Sequence, residues 1–294
     1  MQSGNAKSHL QLHLIVFIWG FTAILGKLIT LDALPLVWWR MLFAVIFIFL
    51  YLKTQRKNAA ISNKTILLFL LSGCIIALHW FTFFKAIKVS NVSVTLACLS
   101  SGSFFAALLE PLFYKRKIVL YELFFGAVVI FGLYLIFKFQ GNFADGIVLA
   151  LISAFLSALF AVINSKFVKN YAPELISFYE LLGGVLFFTF LLFCTQSFTT
   201  SFFRLSMSDF LYLMILSSIC TAYAFVVSTS VMKFLSPFTV MLTINLEPIY
   251  GIILALLFFK NSEKMNPEFY LGALIILFSV LINAFLKRKK NKIR

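Results

Sequence analysis

Acidic side chains are scarce in this chain: ten Asp and Glu stand against 25 Lys and Arg in 294 residues. Charged residues of both signs make up only 12% of it. A soluble domain carries about 25%, so this chain lacks the means to cover a water-facing surface. Cysteine is equally sparse. Cys74, Cys98, Cys194 and Cys220 sit singly inside apolar stretches with no CxxC spacing, so neither a disulfide framework nor a cysteine metal site is indicated. No HExxH, no Walker loop, no GxSxG in a strand–helix context and no paired mid-segment aspartates occur. Hydrolytic and ATP-driven chemistry therefore have no residues to run on, and neither catalytic residues, a metal nor a cofactor is expected. Long polar stretches are also missing, since the longest connections, 53–64 and 196–209, are only loops. The opening MQSGNAKSH lacks the basic run and cleavage site of a secretory signal, so 10–30 is expected to be retained as a first helix.

What fills the chain is hydrocarbon. Hydrophobic residues make up 62%, 38 of them Phe, and the mean hydropathy is +1.01. Uncharged runs at 65–84, 89–109, 146–165, 210–232 and 269–286 are long enough to cross a bilayer. Runs at 10–30, 35–52, 118–137 and 173–193 carry one or two charges, and 234–259 carries one. An all-α membrane protein with ten transmembrane helices is the economical reading. The net charge of +15 follows from topology rather than from a nucleic-acid partner: the basic runs at 53–64, 115–117, 166–169 and 287–294 fall on alternate loops. That bias puts both termini in the cytoplasm, with the basic tail against anionic lipid.

Glu247 is the one charge in Phe234–Phe259, and Pro248 follows it. At about 1.5 Å per residue it lies about 20 Å from either end, near the midplane of a ~30 Å hydrocarbon core. A carboxylate at that depth is expensive unless it faces protein or water. Pro248 cannot donate to the carbonyl of Ile244, which kinks the helix. A broken helix at membrane depth is tolerated where it lines a cavity. The opposing reading, a neutral acid that only ties helices together, is the weaker one given the adjacent proline.

The two halves repeat. FFKAIKVSNVSV and TSVMKFLSPFTV place Lys88 and Lys233 at an offset of 145 residues, and Tyr114-Lys115 matches Phe259-Lys260 at the same offset. FFGAVVIFGLYLI and YLGALIILFSVLI align Gly126 with Gly272. Five helices per unit is odd, so the second unit would enter the membrane from the opposite side. The expectation is two inverted five-helix repeats, 1–140 and 141–294, a pattern of secondary transporters with discontinuous helices at the midplane.

Short motifs add a family. Trp19-Gly20 and Lys27 in WGFTAILGK, Arg40 in LPLVWWRMLFA, the VMKFLS turn, Pro248, and Glu263 nine positions before Gly272 resemble the EamA-type members of the drug/metabolite transporter superfamily along nearly the whole chain. In the first half, Ser103 and Lys117 stand where that pattern has Pro and Glu. The resemblance implies a ten-helix carrier in a bacterial inner (plasma) membrane, often an exporter of metabolites such as amino acids. Its partners would be a small-molecule solute and the lipid bilayer, with a homodimer left open.

Candidate site residues follow from depth. Glu247 and Asn245 lie at the kink, and Ser100 and Ser101 match Asn245 and Leu246 at the 145 offset, offering the opposite wall or close small-residue packing. Trp19, His79, Trp80 and Tyr223 carry polar handles at central depth. Trp80 and Tyr223 are expected to face one cavity, with Thr82 and Phe225 turned away. Lys27 is read as snorkelling to the interface. Arg40 either pairs with Asp32 or gates an outer vestibule, and Glu180 sits comparably near the inner side, so the two are read as a pair of gates. An intramembrane enzyme or lipid-handling protein is the alternative, but it would need a nucleophile–base pair or metal cluster. A channel would want a filter loop.

Overall fold

A computed structural model describes residues 2–55, 61–115, 117, 120–139, 141–200, 202–235 and 237–292. Parts of the basic runs at 53–64 and 115–117, residue 140 at the expected boundary between halves, and the last two residues of the tail lie outside that set. The described residues form helices joined by short turns and loops, with no strand among them. This is the outcome hydrocarbon imposes, because a helix satisfies its backbone within its own segment.

In chain order the helices are α1 (Gln2–Leu28), α2 (Ala33–Gln55), α3 (Asn63–Val89), α4 (Val92–Leu99) and α5 (Gly102–Tyr114). After these come α6 (Leu120–Phe139), α7 (Ala144–Phe167), α8 (Pro173–Cys194) and α9 (Met207–Ser217). A π turn (Ser218–Tyr223) leads from α9 into α10 (Ala224–Val231), and α11 (Pro237–Ile244), α12 (Glu247–Phe259) and α13 (Pro267–Lys292) complete the chain. Among the described residues, seven helical stretches are long and apolar enough to cross a membrane: 6–28, 33–55, 63–89, 92–114, 144–167, 173–194 and 207–231. Shorter apolar helices cover 124–136 and 267–279, and α11 with α12 accounts for the remaining apolar run.

Two of these stretches are interrupted at matching places. α4 ends and α5 begins around Ser100-Ser101, while α11 ends and α12 begins around Asn245-Leu246, so all four helices repeat at the 145 offset. Lys115 and Lys260, which follow α5 and α12, both adopt positive φ, 51° and 48°. For a residue with a Cβ that conformation is uncommon, and it stops each broken helix. Local caps set other ends: Asn91 accepts from Val94 N, Ser62 from Thr65 N and Ser206 from Asp209 N.

Packing follows the same doubling. α1 lies against α12 and α10, and α7 against α5 and α3; α2 packs on α8, and α6 on α13. Close approach depends on glycine where α3 meets α8. A Cβ on Gly183 would run into the backbone of Leu70, and one on Gly73 into the backbone of Glu180. A main chain cannot swing aside as a side-chain tip can. Gly183→Ala is therefore expected to lower the melting temperature of the purified protein by several degrees, an overpacking cost of about 1–3 kcal/mol. Gly102→Ala, whose Cβ would meet the mobile Met241 Cε at 3.1 Å, should stay near wild type. Equal melting temperatures for both variants would show that the α3–α8 contact is looser than described.

Candidate functional site

The π turn organises the centre of the bundle. One extra residue in the turn takes carbonyls out of the regular helical ladder. The Cys220 carbonyl is thereby met by Trp19 Nε1 at 3.1 Å, and the Leu216 carbonyl accepts from the Thr221 hydroxyl at 2.7 Å. Thr221 in turn accepts from Arg40 Nε at 2.6 Å. Two polar side chains from α1 and α2 are thus anchored on one turn of the eighth apolar segment.

Arg40 is 1% exposed and stacks over Trp80, with its guanidinium carbon 3.9 Å from the ring centroid. Its Nη1 is buried and has no hydrogen-bond partner. Of the two readings of Arg40, the pairing with Asp32 does not form: Asp32 is exposed just before α2, and Arg40 reaches inward to Thr221 instead. Its guanidinium borders a cavity of about 60 Å³, measured as room for the centre of a water molecule. That is space for a few waters, lined by side chains from both halves. Trp19, His79, Trp80 and Glu247 all reach it, and Phe160, Phe225, Met232 and Met241 make its apolar wall. Glu247 opens α12, where the positive end of a helix dipole favours a carboxylate. Its carboxyl makes no hydrogen bond or ion pair among the described residues, although it interacts electrostatically with Arg40. His79 is fixed by Ser153, whose carbonyl and hydroxyl lie 2.9 and 2.8 Å from Nδ1.

Other candidates lie elsewhere. Asn245 is buried beside the break with Nδ2 unpartnered, and it is not among the lining residues. The Ser101 hydroxyl bonds back to the Cys98 carbonyl at 2.7 Å, and Ser100 lies on an outer apolar groove with Pro248 and Tyr270. Tyr223 is 47% exposed, and Phe225 takes its place beside Trp80, the two rings 5.9 Å apart. Tyr223 closes the π turn (Ser218–Tyr223), and matching depth alone does not settle which face of the helix turns inward. Thr82 is turned away from the cavity, its hydroxyl bonded to the carbonyls of Leu78 and His79.

Glu180 is fully buried at the α3–α7–α8 junction, accepting from Ser72 at 2.7 Å and Asn164 at 3.1 Å, away from the cavity. Lys27 does not simply snorkel. Its Nζ meets the buried Glu263 at 2.6 Å and sits over Phe259. Glu263 also accepts from the Val92 and Ser93 amides and the Ser93 hydroxyl, at 2.9–3.1 Å, and so caps α4. That knot joins three distant parts of the chain. Only the family motif pointed at Glu263, and nothing in the local pattern named its partners. Among the described residues, no three His, Cys, Asp or Glu side chains gather as a metal site.

Comparison with known proteins gives this geometry a setting. The model of the EamA-like transporter family matches residues 7–138 and again 144–285. An uncharacterized transporter of Archaeoglobus fulgidus is 27% identical over 290 residues, covering 95% of this chain and 97% of that one. A crystal structure of another protein superposes with a TM-score of 0.68 at 12% identity, over 97% of this chain and 98% of the other, which speaks to fold alone. An integral membrane protein matched over both halves in this way belongs to the EamA-like transporter family.

Proposed function

We propose that this protein is a secondary transporter that moves a small metabolite out of the cell by alternating access, with the Arg40–Glu247 cavity as its central site. The observation that carries the reading is this cavity itself. It takes side chains from both halves, and it holds a guanidinium with an unpartnered buried Nη1 and a carboxylate that, among the described residues, makes no hydrogen bond or ion pair. Charges left this way in an apolar bundle are costly unless a solute or an ion meets them. A fold alone would not need them.

Ten spans in two inverted repeats suit this reading. The interrupted helices at 100–101 and 245–246, the positive-φ stops at Lys115 and Lys260, and the two successive family matches support it. The helix pairs support it too, because exchanging halves maps the α1–α12 contact onto the α7–α5 contact. In this orientation, Lys27–Glu263, the Thr30–Asp209 bonds at 2.6 and 2.7 Å and Lys88 on the Ile29 carbonyl all lie at the outer end. Tyr114–Ser165 and Lys166 on the Phe113 carbonyl lie at the inner end. A central space of about 60 Å³ between two tied ends suits an occluded carrier that must open to load. Glu247 then serves either as counter-charge to the solute or as the group that carries a coupling proton.

Two outcomes follow. Glu247→Gln keeps the size and hydrogen bonding of the side chain but cannot ionise. In proteoliposomes it should lose at least about tenfold of solute flux, the effect of removing one charged contact, while expression and melting temperature hold. Full flux that still depends on pH would mark Glu247 as a tie between helices. Separately, single cysteines in the 53–64 loop and the 287–294 tail should react with an impermeant thiol reagent only after the cells are opened, and one at 142 should react in intact cells. Labelling of the tail from outside would remove the proposed orientation.

A further inference from the structure

We infer that the outer apolar groove is a lipid site: it takes one acyl chain of an outer-leaflet phospholipid, with the phosphate at Lys260 and Lys264. The groove is separate from the central cavity, and only the naming of the leaflet rests on the orientation proposed above.

Size and depth carry the inference. Ala97 and Ser100, Ile249 and Ile253 of α12, and Tyr270 and Leu277 of α13 line the groove, and its wall is almost wholly apolar. It holds about 400 Å³ on the measure that gives the central cavity about 60 Å³. α13 begins at Pro267, so at about 1.5 Å per residue Leu277 lies about 15 Å deeper. That is half of a ~30 Å hydrocarbon core. The groove thus runs from the interface to the midplane, which is the reach of a single acyl chain. Ile253 and Leu274, also on its wall, are half-exposed, and what meets the outside of the bundle at that depth is hydrocarbon.

The mouth suits a phosphate. The Tyr270 hydroxyl accepts from the Met265 amide at 3.2 Å, which holds the ring at the level where aromatic side chains meet headgroups. Lys260 and Lys264 are exposed on the turn between α12 and α13, and neither forms an ion pair among the described residues. Glu263 of the same turn is taken up by Lys27 and the α4 amides, so it does not neutralise them.

The first half shows how such a space is otherwise closed. At the 145 offset Ile249 matches Phe104. The Phe104 ring lies against Gly126 of α6, where a Cβ would run into it. That half fills the gap between its broken helix and the next helix with its own side chain. Ile249 leaves the gap open, and α12 and α13 share no extended contact. A void forfeits dispersion contacts along its walls, and an acyl chain restores them. Leu99 and Glu247 line the central cavity, while their sequence neighbours Ser100 and Pro248 line the groove. A bound chain therefore packs behind the cavity wall, beside both helix breaks.

Ile249→Phe gives the second half the filler that the first half has. Purified full-length protein, stripped of lipid, would be titrated with phosphatidylglycerol, and the bound lipid counted by native mass spectrometry. The wild-type protein should take up one lipid well ahead of any other. Ile249→Phe should bind that lipid at least about tenfold more weakly, the effect of a ring in the space the chain needs. Ala273→Leu, which fills the groove from α13, should act alike and decides the matter if Ile249→Phe does not fold. Lys260→Gln combined with Lys264→Gln should weaken phosphatidylglycerol by about fivefold per lysine and leave diacylglycerol, which has no phosphate, unchanged. The inference is overturned if no lipid binds ahead of the rest, or if both groove-filling variants bind phosphatidylglycerol as the wild type does. It is also overturned if the lysine variant leaves phosphatidylglycerol binding unchanged. Loss of a dimer rather than of a lipid in Ile249→Phe would place a second copy of the chain in the groove and overturn it as well. Solute flux in proteoliposomes by a protein that binds no such lipid would keep the transporter and remove the lipid site. A bound lipid without flux of any solute would do the reverse.

Discussion

A charge at the centre of a bilayer costs between a few and more than ten kcal/mol, and this chain places Arg40 and Glu247 on the wall of one cavity. That cost explains much of the surrounding structure. Arg40 is stacked on Trp80 and held by Thr221, and Thr221 is in position because the π turn lets its hydroxyl reach the Leu216 carbonyl. Glu247 stands at the start of α12, where the break in the helix offers it the dipole's positive end. Interrupted and irregular backbone occurs in this bundle where polar groups must be served.

The other buried acids are handled differently, and the contrast is informative. Glu180 accepts from Ser72 and Asn164 and joins α3, α7 and α8. Glu263 has Lys27 and three donors from residues 92–93. Each of these carboxyls is satisfied within the chain and ties elements together. Asp209, also buried, accepts from the Thr30 amide and hydroxyl, and Glu247 alone of the four has no hydrogen-bond partner among the described residues.

Much of this was legible in the sequence. Composition gave an all-helical membrane protein, and the short motifs gave the family. The depth of Glu247 and the proline after it located the broken helix, because a lone charge and a missing N–H are both local signals. What escaped was long-range or depended on helix register. The Lys27–Glu263 pair joins residues 236 positions apart, and no local pattern encodes that. The sequence leaves Arg40 either pairing with Asp32 or gating an outer vestibule, whereas its stem carries the guanidinium inward to a threonine 181 positions away. Tyr223 matches Trp80 in depth, but depth does not fix which face of the helix a residue occupies, and Phe225 is the one that lines the cavity. The run Ser217–Thr221 is unusually polar for a buried segment, and it is the only hint the sequence holds of the π turn.

Wetting of the cavity wall from both sides is the central claim, and one pair of positions tests it most directly. In a background without the four native cysteines, Phe225→Cys and Tyr223→Cys would be treated with a small impermeant thiol reagent, in right-side-out and in inside-out membrane vesicles. Residue 225 should react in both preparations, and bound solute should slow both reactions, while residue 223 on the half-exposed outer face stays inert. Reaction at 225 from one side only, or at 223 in its place, would contradict an alternating central cavity.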